Sequence, residues 1–130
     1  MTRVLGPRAR VLVVNDDGRL ARSVQGLLSD SGYEARTAND GERALEILAD
    51  WPADLVLLDL VMPRLDGFGF LQRRAREGGR RQPPVLVWSV ADDRLLEQAR
   101  HLGATECLPM AASTPDTLLA TVSRLLAATG

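Results

Sequence analysis

A chain of 130 residues with 45% apolar content and a formal net charge of -1 fits one soluble domain built on a single core. That charge offers no electrostatic footing for nucleic acid, no apolar run is long enough to span a bilayer, and the N-terminus lacks a signal peptide's apolar stretch. The expected setting is the cytoplasm, with neither nucleic acid nor membrane as a partner. One cysteine, Cys107, and one histidine, His101, exclude an intrachain disulfide, a Cys/His zinc cluster and most histidine-based triads.

Residues 1–9 read as a short basic tail, and 10–128 as a single domain. Arg10 to Asn15 is a β-branched run that ends on polar residues, a first strand. From Asp16 to Asp30 the apolar residues Leu20, Val24, Leu27 and Leu28 share one helical face, and Gly32 supplies the stop. Tyr33 to Ala38 alternates, as an edge-side strand does. Asn39-Asp40-Gly41 opens a second helix reaching Asp50, with Ala44, Leu45 and Leu48 inward. Asp54 to Asp59 is an apolar run closed by a carboxylate and followed at once by turn residues, which suits a strand buried on both faces.

A third helix is expected from Asp66 to Glu77, weakened by two glycines, and a loop from Gly78 to Pro84. Val85 to Ser89 is the fourth strand and Asp92 to Leu102 the fourth helix. Thr105 to Leu108 is a weak fifth strand. Thr114-Pro115 opens a last helix with an apolar stripe of Leu118, Leu119, Val122, Leu125 and Leu126. Five alternations of strand and helix imply an α/β fold, a doubly wound parallel sheet covered on both faces. Trp88 is expected in the core and His101 in solvent. Asp17 and Asp66 are expected to cap helices, and the arginines at 73, 74, 76, 80 and 81 to form a solvated face and loop.

Three strand ends then line up by chemistry: Asn15-Asp16-Asp17, Asp59 and Ser89. Neighbouring carboxylates stay ionised together only with a cation between them, and an all-oxygen site with open positions suits Mg²⁺. A carboxylate such as Asp59 can also form an acyl phosphate.

With these residues in view, the chain resembles the receiver domain of two-component response regulators from about residue 9 to 128. The resemblance is carried by Val-Val-Asn15-Asp16-Asp17, by Asp54-Leu-Val-Leu-Leu-Asp59-Leu-Val-Met-Pro63 with Asp66-Gly67, and by Pro84-Val-Leu-Val-Trp-Ser89. It implies a flavodoxin-like sheet of strand order 2-1-3-4-5. It implies phosphoryl transfer to Asp59 from a histidine kinase, a phosphotransfer protein or a small phosphodonor. Mg²⁺ would be held by Asp16, Asp59 and the backbone carbonyl of Val61, with Asn15 assisting weakly through water. Ser89 would take the place of the switch hydroxyl. A stand-alone receiver would act by docking, through the face formed by helix four, strand five and helix five, with a homodimer as a further option. Enzymatic activity would be limited to self-phosphorylation and autodephosphorylation.

The chain departs from the family pattern at its fifth strand. All sixteen basic residues are arginine, so the family's switch lysine is missing; Met110-Ala111 or, in a shifted alignment, Leu108-Pro109 stands there. Cys107 replaces a frequent aromatic and Asn15 a frequent aspartate. With no proline after Met110, that peptide bond is expected trans. Apolar Val61 and Ala91 give no side chain to orient a hydrolytic water, which implies a long-lived acyl phosphate. The rival reading is a degenerate receiver that binds proteins independently of phosphate. A metal-dependent phosphatase fits worse: Asn15-Asp16-Asp17-Gly18 resembles a nucleotidase metal motif, but the further ligands and chain length are missing.

Overall fold

The computed structural model describes residues 8–77 and 82–129. The five expected strands form β1 (Arg10–Val14), β2 (Glu34–Ala38), β3 (Leu55–Leu58), β4 (Val85–Ser89) and β5 (Glu106–Pro109). They pair in parallel in the order β2-β1-β3-β4-β5. Between and after them run α1 (Gly18–Asp30), α2 (Gly41–Asp50), α3 (Gly67–Glu77), α4 (Asp93–His101) and α5 (Pro115–Thr129). Residues 1–7 of the expected tail and residues 78–81 of the expected loop lie outside the described residues.

The sheet's two faces are sorted by the two-residue period of the strands. In β1, Val11 and Val13 join Leu55, Leu57 and Leu86 against Ala21, Val24 and Leu28 of α1 and Leu118, Val122 and Leu125 of α5. Leu12 and Val14 point the other way, with Val56, Leu58, Val85 and Val87, against Ala44 of α2, Phe70 and Leu71 of α3, and Leu96 and Ala99 of α4. Both faces are therefore covered, which is why the inner strands read as unbroken apolar runs. Phe70 is fully buried, so its truncation to alanine is worth about 3–5 kcal/mol.

Each crossover begins with a cap at the carboxyl end of a strand. Asp17 accepts from Leu20 N–H at 3.1 Å, Asp40 from Arg43 N–H at 2.9 Å and Asp66 from Gly69 N–H at 2.9 Å. Asp92 accepts from Leu95 N–H at 3.0 Å and Thr114 from Thr117 N–H at 3.1 Å. Such caps satisfy the first free amides of a helix. They also confirm the capping roles expected of Asp17 and Asp66.

Three expectations shift. β5 runs one residue later than expected, and a 3-10 turn over Met110–Ala112, unannounced in the sequence, follows it. Trp88 is only half-buried. Arg74 is not solvated: its guanidinium donates to Pro83 O at 2.5 Å, while Gln82 Nε2 donates to Arg74 O at 2.8 Å, and burial lowers its pKa. His101 is exposed as expected.

Candidate functional site at the carboxyl ends of the strands

The register of the sheet brings the three chemical strand ends to one rim. Asp59 follows the last residue of β3, and its N–H donates to Val14 O of β1 at 2.9 Å. On the other side, β4 ends in fully buried Ser89, whose Oγ donates to Asp59 Oδ1 at 2.9 Å. Val61 N–H also points at Oδ1, at 3.4 Å. Asp59 is half-buried. Desolvation raises its pKa above the ordinary aspartate range, with the nearby charge of Asp16 acting in the same direction. The Ser89 and backbone donors oppose both.

Asp16 is exposed at the start of the β1–α1 turn, while Asn15 is 5% exposed. Asn15 Oδ1 accepts from Asp17 N–H at 2.9 Å, an Asx turn that shapes the approach to α1. Among the described residues, no three His, Cys, Asp or Glu side chains group to hold a metal. Two carboxylates that feel each other, beside an exposed loop backbone at Val61, form the sparse oxygen set that Mg²⁺ accepts, because it keeps several waters and takes phosphate oxygens. The donor chemistry therefore fits that cation.

The β3–α3 loop is held closely under Asp59. Gly67 N–H donates to Leu60 O at 3.1 Å. A Cβ on Gly67 would lie 2.5 Å from Asp59 O and 2.7 Å from Leu60 Cα, so only glycine permits this approach. Met62 is 8% exposed and anchors the loop in the core, whereas Val61 is 60% exposed. Arg64 adopts φ 57°, a left-handed conformation that costs a non-glycine residue roughly 1–2 kcal/mol. Its guanidinium pairs with Asp40, 24 residues away. Asp40 is 2% exposed; its cap bond from Arg43 N–H, and then Arg64, hold its carboxyl below the usual range against the cost of burial.

The β4–β5 side is built differently. Ser89 lies beside Pro109, so Met110 is the first residue beyond β5. No cis peptide occurs among the described residues, and the Met110–Ala111 bond is trans as expected. Met110 O accepts from Ser113 N–H at 3.2 Å and from Ser113 Oγ at 3.0 Å. Trp88 Nε1 in turn donates to Ser113 Oγ at 2.9 Å. The residue before Ser89 is thus tied to the turn that follows β5, which carries no charged side chain. Cys107 is buried with Sγ 3.4 Å from Leu96 O, and burial raises its pKa, which makes it an inert filler.

All the site residues read from the sequence, Asn15, Asp16, Asp59, Val61 and Ser89, fall on this rim. The partnership of Arg64 with Asp40 had no local signature. Trp51 was also missed. It closes α2 at 3% exposure under the guanidiniums of Arg10 and Arg36, 5.3 and 4.7 Å from its ring centroid, at the opposite end of the sheet.

Comparison with known proteins agrees with this geometry. A family model for the response regulator receiver domain matches residues 11–123. The response regulator MprA of Mycobacterium leprae is 37% identical over 119 residues, covering 90% of this chain and 50% of that protein. The transcriptional regulatory protein DltR of Streptococcus agalactiae is 40% identical over 78 residues, 60% of this chain and 34% of the relative. The chain thus spans about a third to a half of such relatives. Among solved structures, the receiver domain of Francisella response regulator 1452 superposes with a TM-score of 0.85 at 25% identity, over 94% of this chain and 99% of that one. Chemotaxis protein CheY4 of Vibrio cholerae gives 0.81 at 31% identity, over 91% and 98%.

Proposed function

The chain belongs to the response regulator receiver domain family, a signalling module of two-component systems and not a conventional enzyme, and from that premise we propose that it takes a phosphoryl group on Asp59 and signals by docking to another protein. The observation that carries this reading is the 2.9 Å bond from Ser89 Oγ to Asp59 Oδ1, made at the end of the central strand within the field of Asp16.

A carboxylate oxygen of Asp59 attacks phosphorus as the bond to the donor's leaving group breaks; that group is the imidazole nitrogen of a phosphohistidine or the acetate of acetyl phosphate. The product is an acyl phosphate. Asp16, Asp59 and the Val61 carbonyl would hold Mg²⁺, which when bound supplies the positive charge that offsets the carboxylates and phosphoryl oxygens. Asn15 shapes the turn that presents Asp16. Ser89, already bonded to Asp59, can turn its hydroxyl to a phosphoryl oxygen. Val61 and Ala91 bring no polar side chain to the rim, so the acyl phosphate persists for hours in Mg²⁺; a half-life of seconds would contradict this.

The donor is a histidine kinase or phosphotransfer protein, in the cytoplasm. Among the described residues no helix is long and apolar enough to cross a membrane. Incubation with acetyl phosphate and Mg²⁺ tests the reading: one phosphoryl mass is gained and Asp59→Asn abolishes it. No gain, where an ordinary receiver is modified, contradicts it.

One observation favours a second reading, a receiver that binds partners without phosphate through the α4–β5–α5 face. Met110, Ser113 and Trp88 already tie the end of β4 to the β5–α5 turn without a charged group. Partner binding that is equal for the wild type and Asp59→Asn distinguishes it.

A further inference from the structure

The β3–α3 loop carries the Val61 carbonyl, and its far end is fastened to α2 by contacts that the chemistry above does not use. Leu65 O accepts from Gly41 N–H at 2.7 Å. A Cβ on Gly41 would lie 2.7 Å from that same oxygen, so loop and helix approach as closely as a glycine allows. Next to this bond, Arg64 reaches Asp40, whose other carboxylate oxygen caps α2 through Arg43 N–H. The Asp40 side chain is 3% exposed and that of Arg64 64% exposed. The arginine therefore neutralises a buried carboxylate while staying in water itself. The base of the loop is closed by Gly67 and its middle by buried Met62, which leaves the Arg64–Asp40 pair as the charged fastening of its tip.

We propose that Arg64 is a positioning residue: by pairing with the buried carboxylate of Asp40 it pins the β3–α3 loop to the N-terminus of α2 and presets the backbone at Val61 for the cation beside Asp59. The inference rests on the Mg²⁺ reading given above. It also explains why a residue with a Cβ sits in a left-handed conformation, where glycine or asparagine would sit with less strain. Glycine there would relax the backbone and lose the pin.

Arg64→Met and Arg64→Lys test it, because both keep the side-chain length and a Cβ at the left-handed position. Two measurements are made on each: amide hydrogen exchange at Gly41 and Gly67 in metal-free protein, and Mg²⁺ affinity by titration. Arg64→Met speeds exchange at Gly41 and weakens Mg²⁺ binding, each roughly three- to fivefold, the scale of a partly exposed ion pair. Arg64→Lys recovers most of both. Exchange and affinity both unchanged in Arg64→Met overturn the proposal. So does faster exchange with unchanged affinity, since the pair is then structural only. If the wild type fails to bind Mg²⁺, the functional reading falls instead, and the metal-free exchange rates still decide whether Arg64 pins the loop.

Discussion

Two halves of one rim share the same sheet, yet they hold their loops by different means. On the β1–β3 side the turns are ordered by charge: Asp17, Asp40 and Asp66 cap three successive helices, Arg64 reaches Asp40, and Asp59 stands between Val14 O and Ser89 Oγ. On the β4–β5 side Asp92 still caps α4, but the turn between β5 and α5 carries no charged group. It is stitched by neutral groups, Trp88 to Ser113 to Met110. Charged groups can follow a phosphoryl group as it arrives, whereas a neutral stitch has no reason to. If Asp59 takes a phosphoryl group as proposed, the difference teaches that the turns beside it and the turn after β5 can respond to that group separately.

The largest effect expected is on the accepting half. Gly67→Ala places a Cβ 2.5 Å from Asp59 O and 2.7 Å from Leu60 Cα, both backbone atoms. It should destabilise the protein by about 3 kcal/mol in urea unfolding and lower phosphorylation with it. Unchanged stability would mean that the loop under Asp59 is not held as described.

Next comes the reporting half. Met110→Lys restores an ammonium at the first position past β5. A charge-assisted hydrogen bond is worth roughly 1.5–3 kcal/mol, so affinity for beryllofluoride with Mg²⁺ should rise by about one to two decades. No gain would show that the turn, and not the missing charge, keeps this half apart.

Ser113→Ala tests the stitch itself. Loss of the Trp88 bond should cost about 1 kcal/mol and shift the Trp88 emission. An unchanged spectrum would remove the neutral link from the comparison.

The smallest effect concerns pH. Asp59 has a folded-state pKa above its unfolded value, so its stabilising contribution is complete below about 3.9 and is lost as pH rises through the folded value. In metal-free buffer, Asp59→Asn should therefore raise the midpoint of thermal unfolding at pH 7, and the gain should vanish in acid. A variant less stable at pH 7 would reverse the sign of the burial argument.

The accepting half was largely legible in the sequence. Strands buried on both faces announce themselves as apolar runs, and Asp17 and Asp66 are residue types whose side chains prefer to cap. The reporting half was less so. Without a lysine to anchor the alignment, Leu108-Pro109 and Met110-Ala111 both fitted one position, and the sequence alone did not show that β5 ends at Pro109. The 3-10 turn there ends on Ser113, which accepts a tertiary bond from Trp88, an indole donor that needs a partner once half-buried, and the sequence does not say which. Arg64 and Asp40 lie 24 residues apart and meet only because α2 and α3 pack side by side on one face of the sheet. Arg74 was read as solvated because a long stem with a charged end can bury one part and expose the other.

Amide chemical shifts before and after addition of beryllofluoride and Mg²⁺ test the separation of the two halves most directly. The account predicts large changes at Asn15–Asp17, Asp59–Gly67 and Ser89, with Cys107–Ser113 nearly unmoved. Changes of equal size at Cys107–Ser113 would contradict it.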